Sequence, residues 1–199
     1  MIADDHALVQ AAAGGDRAAL DTLLRRHYDR IFAVCRRITG NDADASDAAQ
    51  DALISIVRSI GRFDGRASFS TWAYRIATNA SLDELRRRRR RPALVDERAD
   101  GHDSAIVDPD AGPRVEAVVD RMALDAALAQ VPETFRVPLV LRDVADLDYS
   151  EIAESLDLPL GTVKSRIARG RAALAELLVA GNQTAGNQTD PTERPTPAP

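Results

Sequence analysis

Thr162, Lys164, Ser165, Arg166 and Arg169 fall within eight consecutive residues. Short hydroxyls interleaved with long cations suit hydrogen bonding to base edges and clamping of phosphates. No acidic residue interrupts Pro159 to Ala175, so a polyanion would meet no repulsion along this stretch. Val163, Ile167, Gly170, Leu174 and Leu177 recur at alternating steps of four and three, a single apolar stripe on a helix. Thr162, Ser165, Ala168 and Arg169 then share the opposite face. Lys164 and Arg171 flank it on one side, and Arg166 flanks it on the other.

A cationic face alone is often only a solvated helix surface, so the elements that would position it matter. Asp148 followed by Glu151 reads as a capping box, opening a short helix just upstream. Ile152, Ala153 and Leu156 give that helix an inner face. Leu158 sits where an apolar residue plugs the gap of a turn, and Pro159 suits the first position of the next helix. Two short helices about a tight turn, the second one basic, make a helix-turn-helix whose second helix enters the major groove. An ordinary antiparallel helix pair would not call for turn, caps and charge to agree.

A second group lies in the first half. Phe63 and Phe69 bracket a glycine-bearing loop, and Trp72, Arg75 and Asn79 follow on a helix that closes with six arginines, Arg86 to Arg91. A base taken out of a duplex needs aromatic walls, polar groups for its edge, and cations for its backbone. Phe63 and Phe69 could be the walls, Asn79 and Arg75 the edge and phosphate contacts, and Arg86 and Arg87 part of a phosphate track. For Trp72 and Tyr74 the filling of a small core is an equally good reading, and an arginine run at a helix end also suits the helix dipole. Asp44, Asp47, Gln50 and Asp51 front the preceding helix, where they either meet a protein partner or complement that helix's N-terminus.

Charge follows the same division. The chain carries a net −5, yet residues 1–91 hold 16 Lys and Arg against 12 Asp and Glu, while residues 92–119 hold 2 against 7. Local fields rather than overall charge steer a polyanion. Only 4% of residues are aromatic, which fits helical packing better than a β-sandwich. Cys35 is the single cysteine, a small core residue without a disulfide partner. Three scattered histidines offer no metal-ligand spacing, and no phosphate-binding glycine loop or nucleophile with a base is evident. The reading is therefore a non-enzyme with no catalytic residue, metal or cofactor. No apolar run reaches a membrane span and no secretion signal opens the chain, so a cytoplasmic location without membrane insertion is expected.

The expected fold is all-α: two small helical domains joined by a flexible acidic linker, the second containing the helix-turn-helix. Helices are expected over about 2–13, 16–40, 45–60 and 70–90, making a first domain of 1–91. Residues 92–116 lose helical period and gain prolines, glycines and acids, hence a linker. Helices over about 118–128 and 133–144 precede the helix-turn-helix, for a second domain of 117–179. The tail 180–199 repeats AGNQT and ends in prolines, a composition that buries no core.

These two blocks, in this order, resemble the bacterial RNA polymerase sigma factors of the extracytoplasmic-function (ECF) group. DASDAAQDALISIV (44–57) is similar to that family's helix for the polymerase clamp coiled coil. FDGRASFSTWAYRIATNASLDELRRRRRRP (63–92) is similar to its segment for recognising and melting the −10 element. LGTVKSRIARGRAAL is close to its −35-binding pattern. The resemblance implies that Asp47, Gln50 and Asp51 grip the core polymerase, that Phe63 to Phe69 pocket a −10 base beside Asn79, and that Lys164, Ser165, Arg166 and Arg169 dock the −35 duplex. It further implies RNA polymerase core, through clamp and flap, together with promoter DNA and an anti-sigma factor as partners. Ala49 and Ala52 depart from the larger apolar residues frequent in the family, and Ala168 leaves a small side chain on the reading face. The rival is a stand-alone helix-turn-helix regulator with residues 1–91 as sensor, for which the aromatic loop and arginine run have no purpose.

Overall fold

A computed structural model describes residues 4–90 and 112–186. Every regular element among them is helical: α1 (Asp5–Ala13), α2 (Arg17–Thr39), α3 (Asp42–Ser59), a short 3₁₀ turn (Ile60–Arg62), α4 (Phe69–Arg90), α5 (Gly112–Gln130), α6 (Glu133–Asp143), α7 (Tyr149–Leu156) and α8 (Leu160–Gly186).

Local chemistry sets the boundaries in the first unit. The Asp16 carboxylate accepts from the backbone N–H of Ala18 and Ala19, starting α2. Gly40 ends it in the left-handed region at φ 86°, its N–H returning to the Arg36 carbonyl. Asn41 then caps α3 by accepting from Asp44 N–H at 2.8 Å. That cap moves the start of α3 to Asp42, upstream of the expected 45. It also puts Asp42 and Asp44 in the first turn, where acids favour the helix dipole.

The core of this unit forms where α2, α3 and α4 meet. α2 buries Leu23, Ile31, Val34, Cys35 and Ile38, while α3 buries Ala45, Ala48, Ala49, Ala52 and Ile56. α4 answers with Phe69, Ala73, Tyr74 and Ala77. The alanines on α3 and α4 make a seam of small side chains, across which two backbones approach closely. Burial pushes the Cys35 thiol up to about 11, so almost no thiolate forms at neutral pH. A disulfide reagent at pH 8 is expected to leave Cys35 untouched in the native protein and to label it once denaturant is added; fast native labelling would contradict the placement.

In the second unit α6 packs on α8, with α7 across one end. Leu141 and Ile152 are fully buried, and Val163 and Ile167 of α8 close over them. Gly170 lies where α8 crosses α6: an added Cβ would sit 3.0 Å from the Phe135 carbonyl oxygen and 3.3 Å from Leu139 Cδ2. The expected capping box is present. Asp148 accepts from Glu151 N–H at 2.8 Å, and Glu151 accepts from Asp148 N–H at 2.8 Å. Asp157 takes the left-handed turn at φ 52°, which non-glycine residues such as Asp tolerate best.

Three further expected boundaries change. Pro159 stands one position before α8, because its carbonyl already receives Thr162 N–H and Val163 N–H. α5 begins at Gly112, inside the stretch expected to be a linker. α8 continues to Gly186, into the stretch expected to be a tail. The remainder of the linker and the tail from 187 lie outside the described residues. No helix among the described residues is long and apolar enough to cross a membrane.

The glutamate N–H and the Ser150 hydroxyl hold the Asp148 carboxyl below its ordinary value. A carboxyl lowered by folding stabilises the fold fully above the unfolded value of about 4 and loses that contribution as pH falls through its lower folded value. Thermal melts taken downward from pH 5 are therefore expected to show a shallower acid limb in Asp148→Asn than in the parent. Identical limbs would show that the cap carries no pH-linked stability.

Candidate nucleic-acid interface

α8 presents its polar face as the spacing requires. Lys164, Ser165, Ala168 and Arg169 are exposed, while Thr162 and Arg166 are half-buried at the margins. Gly170 joins Val163 and Ile167 on the buried side. Ser165 donates to the Thr162 carbonyl at 2.9 Å, which leaves its oxygen free to accept. Arg169 forms no ion pair among the described residues, whereas Arg171 is held by both oxygens of Asp143 at 2.6 and 3.1 Å. The two arginines differ in kind: one points its full charge outward, and the other spends much of it within the fold.

Two residues beside this face escaped the sequence reading. The Tyr149 ring lies 5.2 Å from the Arg142 guanidinium and 5.9 Å from Lys164 Nζ. Arg142 is itself fixed by donating to the Leu147 carbonyl at 2.7 Å. Tyr149 thus gathers cations at the edge of the exposed basic face by cation–π attraction. An aromatic directly after the Asp148 cap was the available signal.

The aromatic loop resolves differently from the expectation. Phe69 is the first residue of α4 and only 4% exposed. Its ring meets His27 edge-on at 5.0 Å and lies 5.8 Å from Trp72. It cannot be an open wall for a base in this arrangement, because its faces are taken by the core; it is the floor on which Trp72 and Phe63 rest. Phe63 and Trp72 are half-buried and 5.2 Å apart, so each keeps part of a ring at the surface. Gly65 turns the loop between them at φ 71°.

Farther along α4 the side chains diverge. Thr71 donates to Glu151 at 2.9 Å, and Arg75 reaches Ser155 at 3.3 Å and Glu154 at 3.3 Å, all on α7. Asn79 is exposed and opens onto a groove between α3 and α4 that includes Asp51, Ile54 and Arg58. Arg87 pairs with Asp51 at 2.6 Å and with Glu84 at 2.9 Å. The sequence reading sent Asp51 and Arg87 to different partners, yet the fold joins them to each other. Arg86 pairs within its own helix to Asp83. Asp47 and Gln50 are exposed on α3, with Ile54 and Val57 exposed on the same helix.

Comparison with known proteins gives a consistent picture. Residues 23–91 match the family model of sigma-70 region 2, and residues 121–174 match that of sigma-70 region 4. The chain is 35% identical over 185 residues to the RNA polymerase sigma-H factor of Pseudomonas aeruginosa, an alignment spanning 87% of this chain and 93% of that protein. It is 38% identical over 174 residues to the ECF RNA polymerase sigma factor SigM of Mycobacterium tuberculosis, spanning 87% and 84%. Among solved structures it is similar to CnrH in complex with the cytosolic domain of CnrY, with a TM-score of 0.62, 26% identity, and 88% and 97% of the two chains covered. The fold is also that of the sigma factor RpoE in complex with the anti-sigma factor NepR from Bartonella quintana, at a TM-score of 0.60 and 21% identity, with 78% of this chain and 93% of that one covered.

Proposed function

The chain belongs to the ECF group of RNA polymerase sigma factors, and from that premise we propose how its residues divide the work of promoter recognition. It is an alternative sigma factor, which binds core polymerase, brings it to particular promoters and promotes initiation. An anti-sigma factor controls it. The observation that carries the division of labour is the exposed basic face of α8, where Arg169 forms no ion pair among the described residues, on a helix whose opposite side is buried.

In this reading Thr162, Lys164, Ser165, Arg166 and Arg169 read and clamp the −35 duplex in its major groove. Phe63 and Trp72 offer ring surface to an unstacked −10 base above the Phe69 floor. Arg75, Asn79, Arg86 and Arg87 follow the exposed strand. Asp47 and Gln50, with Asp51 beside Arg87, meet the polymerase clamp, and the second unit meets the flap. No step needs a nucleophile or a metal: binding the unpaired form more tightly than the duplex is enough to favour opening. Each unit can bind weakly alone, since polymerase holding both raises the effective concentration of the second site. The work is done in the cytoplasm, where polymerase and promoter are.

The test is transcription in vitro by purified bacterial core polymerase on a promoter library, with and without this chain. Initiation that needs the chain, and that falls when residues 63–69 are replaced, is the expected result. Polymerase-independent binding of the free chain to a specific duplex, without initiation, would instead support a stand-alone regulator.

A further inference from the structure

Helix α1 lies outside both stretches matched by the sigma-70 family models, 23–91 and 121–174. Its inner side is nonetheless engaged. Leu8, Val9 and Ala12 are buried, and the helix packs on α2, on α4 and on the 3₁₀ turn that leads into the aromatic loop. Its first residue, Asp5, accepts from the Arg26 guanidinium and, at 2.8 Å, from His27 Nε2. Partial burial alone would raise the Asp5 carboxyl, but these two bonds outweigh it and hold the group below its ordinary value. An ionised carboxylate only accepts, so Nε2 of His27 carries the proton and donates.

A hydrogen bond at one ring nitrogen fixes the direction of an imidazole as well as its tautomer. The His27 side chain is 12% exposed, and its ring meets Phe69 at 5.0 Å with the planes 60° apart. Phe69 in turn lies 6.4 Å from Phe63 and 5.8 Å from Trp72. The loop itself offers little restraint: residues 64–68 are all exposed, and Asp64 turns back only as far as the Arg66 N–H, at 3.1 Å. The rings are therefore set from beneath, through a chain of contacts that starts on α1. Resting on the reading of Phe63 and Trp72 as the surface for an unpaired −10 base, we propose that Asp5 and His27 are positioning residues for base capture: their pair fixes the tilt of Phe69, and with it the gap between Phe63 and Trp72. α1 then belongs to the −10 site, acting through His27 and Phe69 rather than by touching the base.

Full-length variants test this with core polymerase, on a promoter recovered from the library and on copies lacking one −10 base at a time from the non-template strand. Asp5→Ala removes the acceptor, and His27→Phe keeps a ring against Phe69 but removes the donor. In the parent, loss of the captured base should slow initiation about 5- to 150-fold, the worth of stacking one base on an aromatic ring. On the intact strand each single variant should be slower by about threefold or more, and the double variant no slower than either, as for two residues acting through one bond. On the strand lacking the captured base, parent and variants should converge. Near-ultraviolet circular dichroism of Trp72, the only tryptophan, should shift alike in all variants while the far-ultraviolet helix signal stays unchanged. Initiation at the parent's rate on the intact strand would overturn the proposal. Slowing by one factor on intact and base-deleted strands alike would also overturn it, because a merely weakened fold loses both. So would a Trp72 signal identical to the parent's in every variant. If no missing base affects the parent, the base-capture reading falls and this role with it, while the Trp72 signal still reports whether Asp5 and His27 set the rings.

Discussion

Gly170→Val is expected to unseat α8 from α6 and to cost the second unit about 1–3 kcal/mol, an overpacking penalty in a tight core. The first added carbon already meets the Phe135 carbonyl oxygen at 3.0 Å. A backbone carbonyl inside α6 cannot turn aside as a side chain can, and two further methyl groups enter the same space toward Leu139. Valine gains some helix propensity over glycine, but only about half a kcal/mol, so the clash decides the sign. A domain whose whole stability is about 5–15 kcal/mol feels this strongly. Denaturant unfolding followed by circular dichroism should show a lowered midpoint for the variant, and −35 binding should fall in parallel. A midpoint equal to that of the parent would mean that the two helices do not cross at this residue.

Arg169→Ala is expected to lower initiation at promoters that depend on the −35 element by about 5- to 150-fold, the equivalent of about 1–3 kcal/mol for one good base or phosphate contact. Binding through the proposed clamp-facing residues should not change, because Asp47 and Gln50 lie on α3 and Arg169 lies on α8. Arg171→Ala makes the comparison sharp. Its guanidinium is already committed to Asp143 at 2.6 Å, so its removal should act more through lost packing between α6 and α8 than through lost DNA contact. Equal transcription from the Arg169→Ala protein and its parent would show that the reading face is elsewhere on the helix.

What was legible in the sequence was local. The capping box at Asp148, the stop at Gly40 and the stripe from Val163 to Leu177 each depend on residues within a turn or two, and each is in place. What was not legible depended on distant chain. Phe69 read as a wall because aromatics around a flexible loop suit a base, but His27, forty-two positions earlier, takes one of its edges. Asp51 and Arg87 each suited a partner outside the chain, and only the packing of α3 on α4 pairs them at 2.6 Å. α8 was stopped too early because AGNQT is a poor helix sequence. Propagation from a helix already nucleated and packed extends it further than composition suggests. Tyr149 was missed because an aromatic at the start of a short helix looks like core until Arg142 and Lys164 are seen on it.

The alanine seam between α3 and α4 has a meaning for how this surface can change over generations. Alanine has no rotamer freedom to surrender on burial, so packing α3 through these positions costs no side-chain entropy. The same seam makes mutation one-directional. At Ala45, Ala48, Ala49 and Ala52, with exposures of 0 to 2%, nearly every substitution adds volume, and the one that removes it, to glycine, weakens the helix by about 1 kcal/mol. Asp47 and Gln50, a single position away, face solvent and are under no such constraint. Drift is thus channelled outward: the exposed side of α3 can diversify, while the inner side stays fixed.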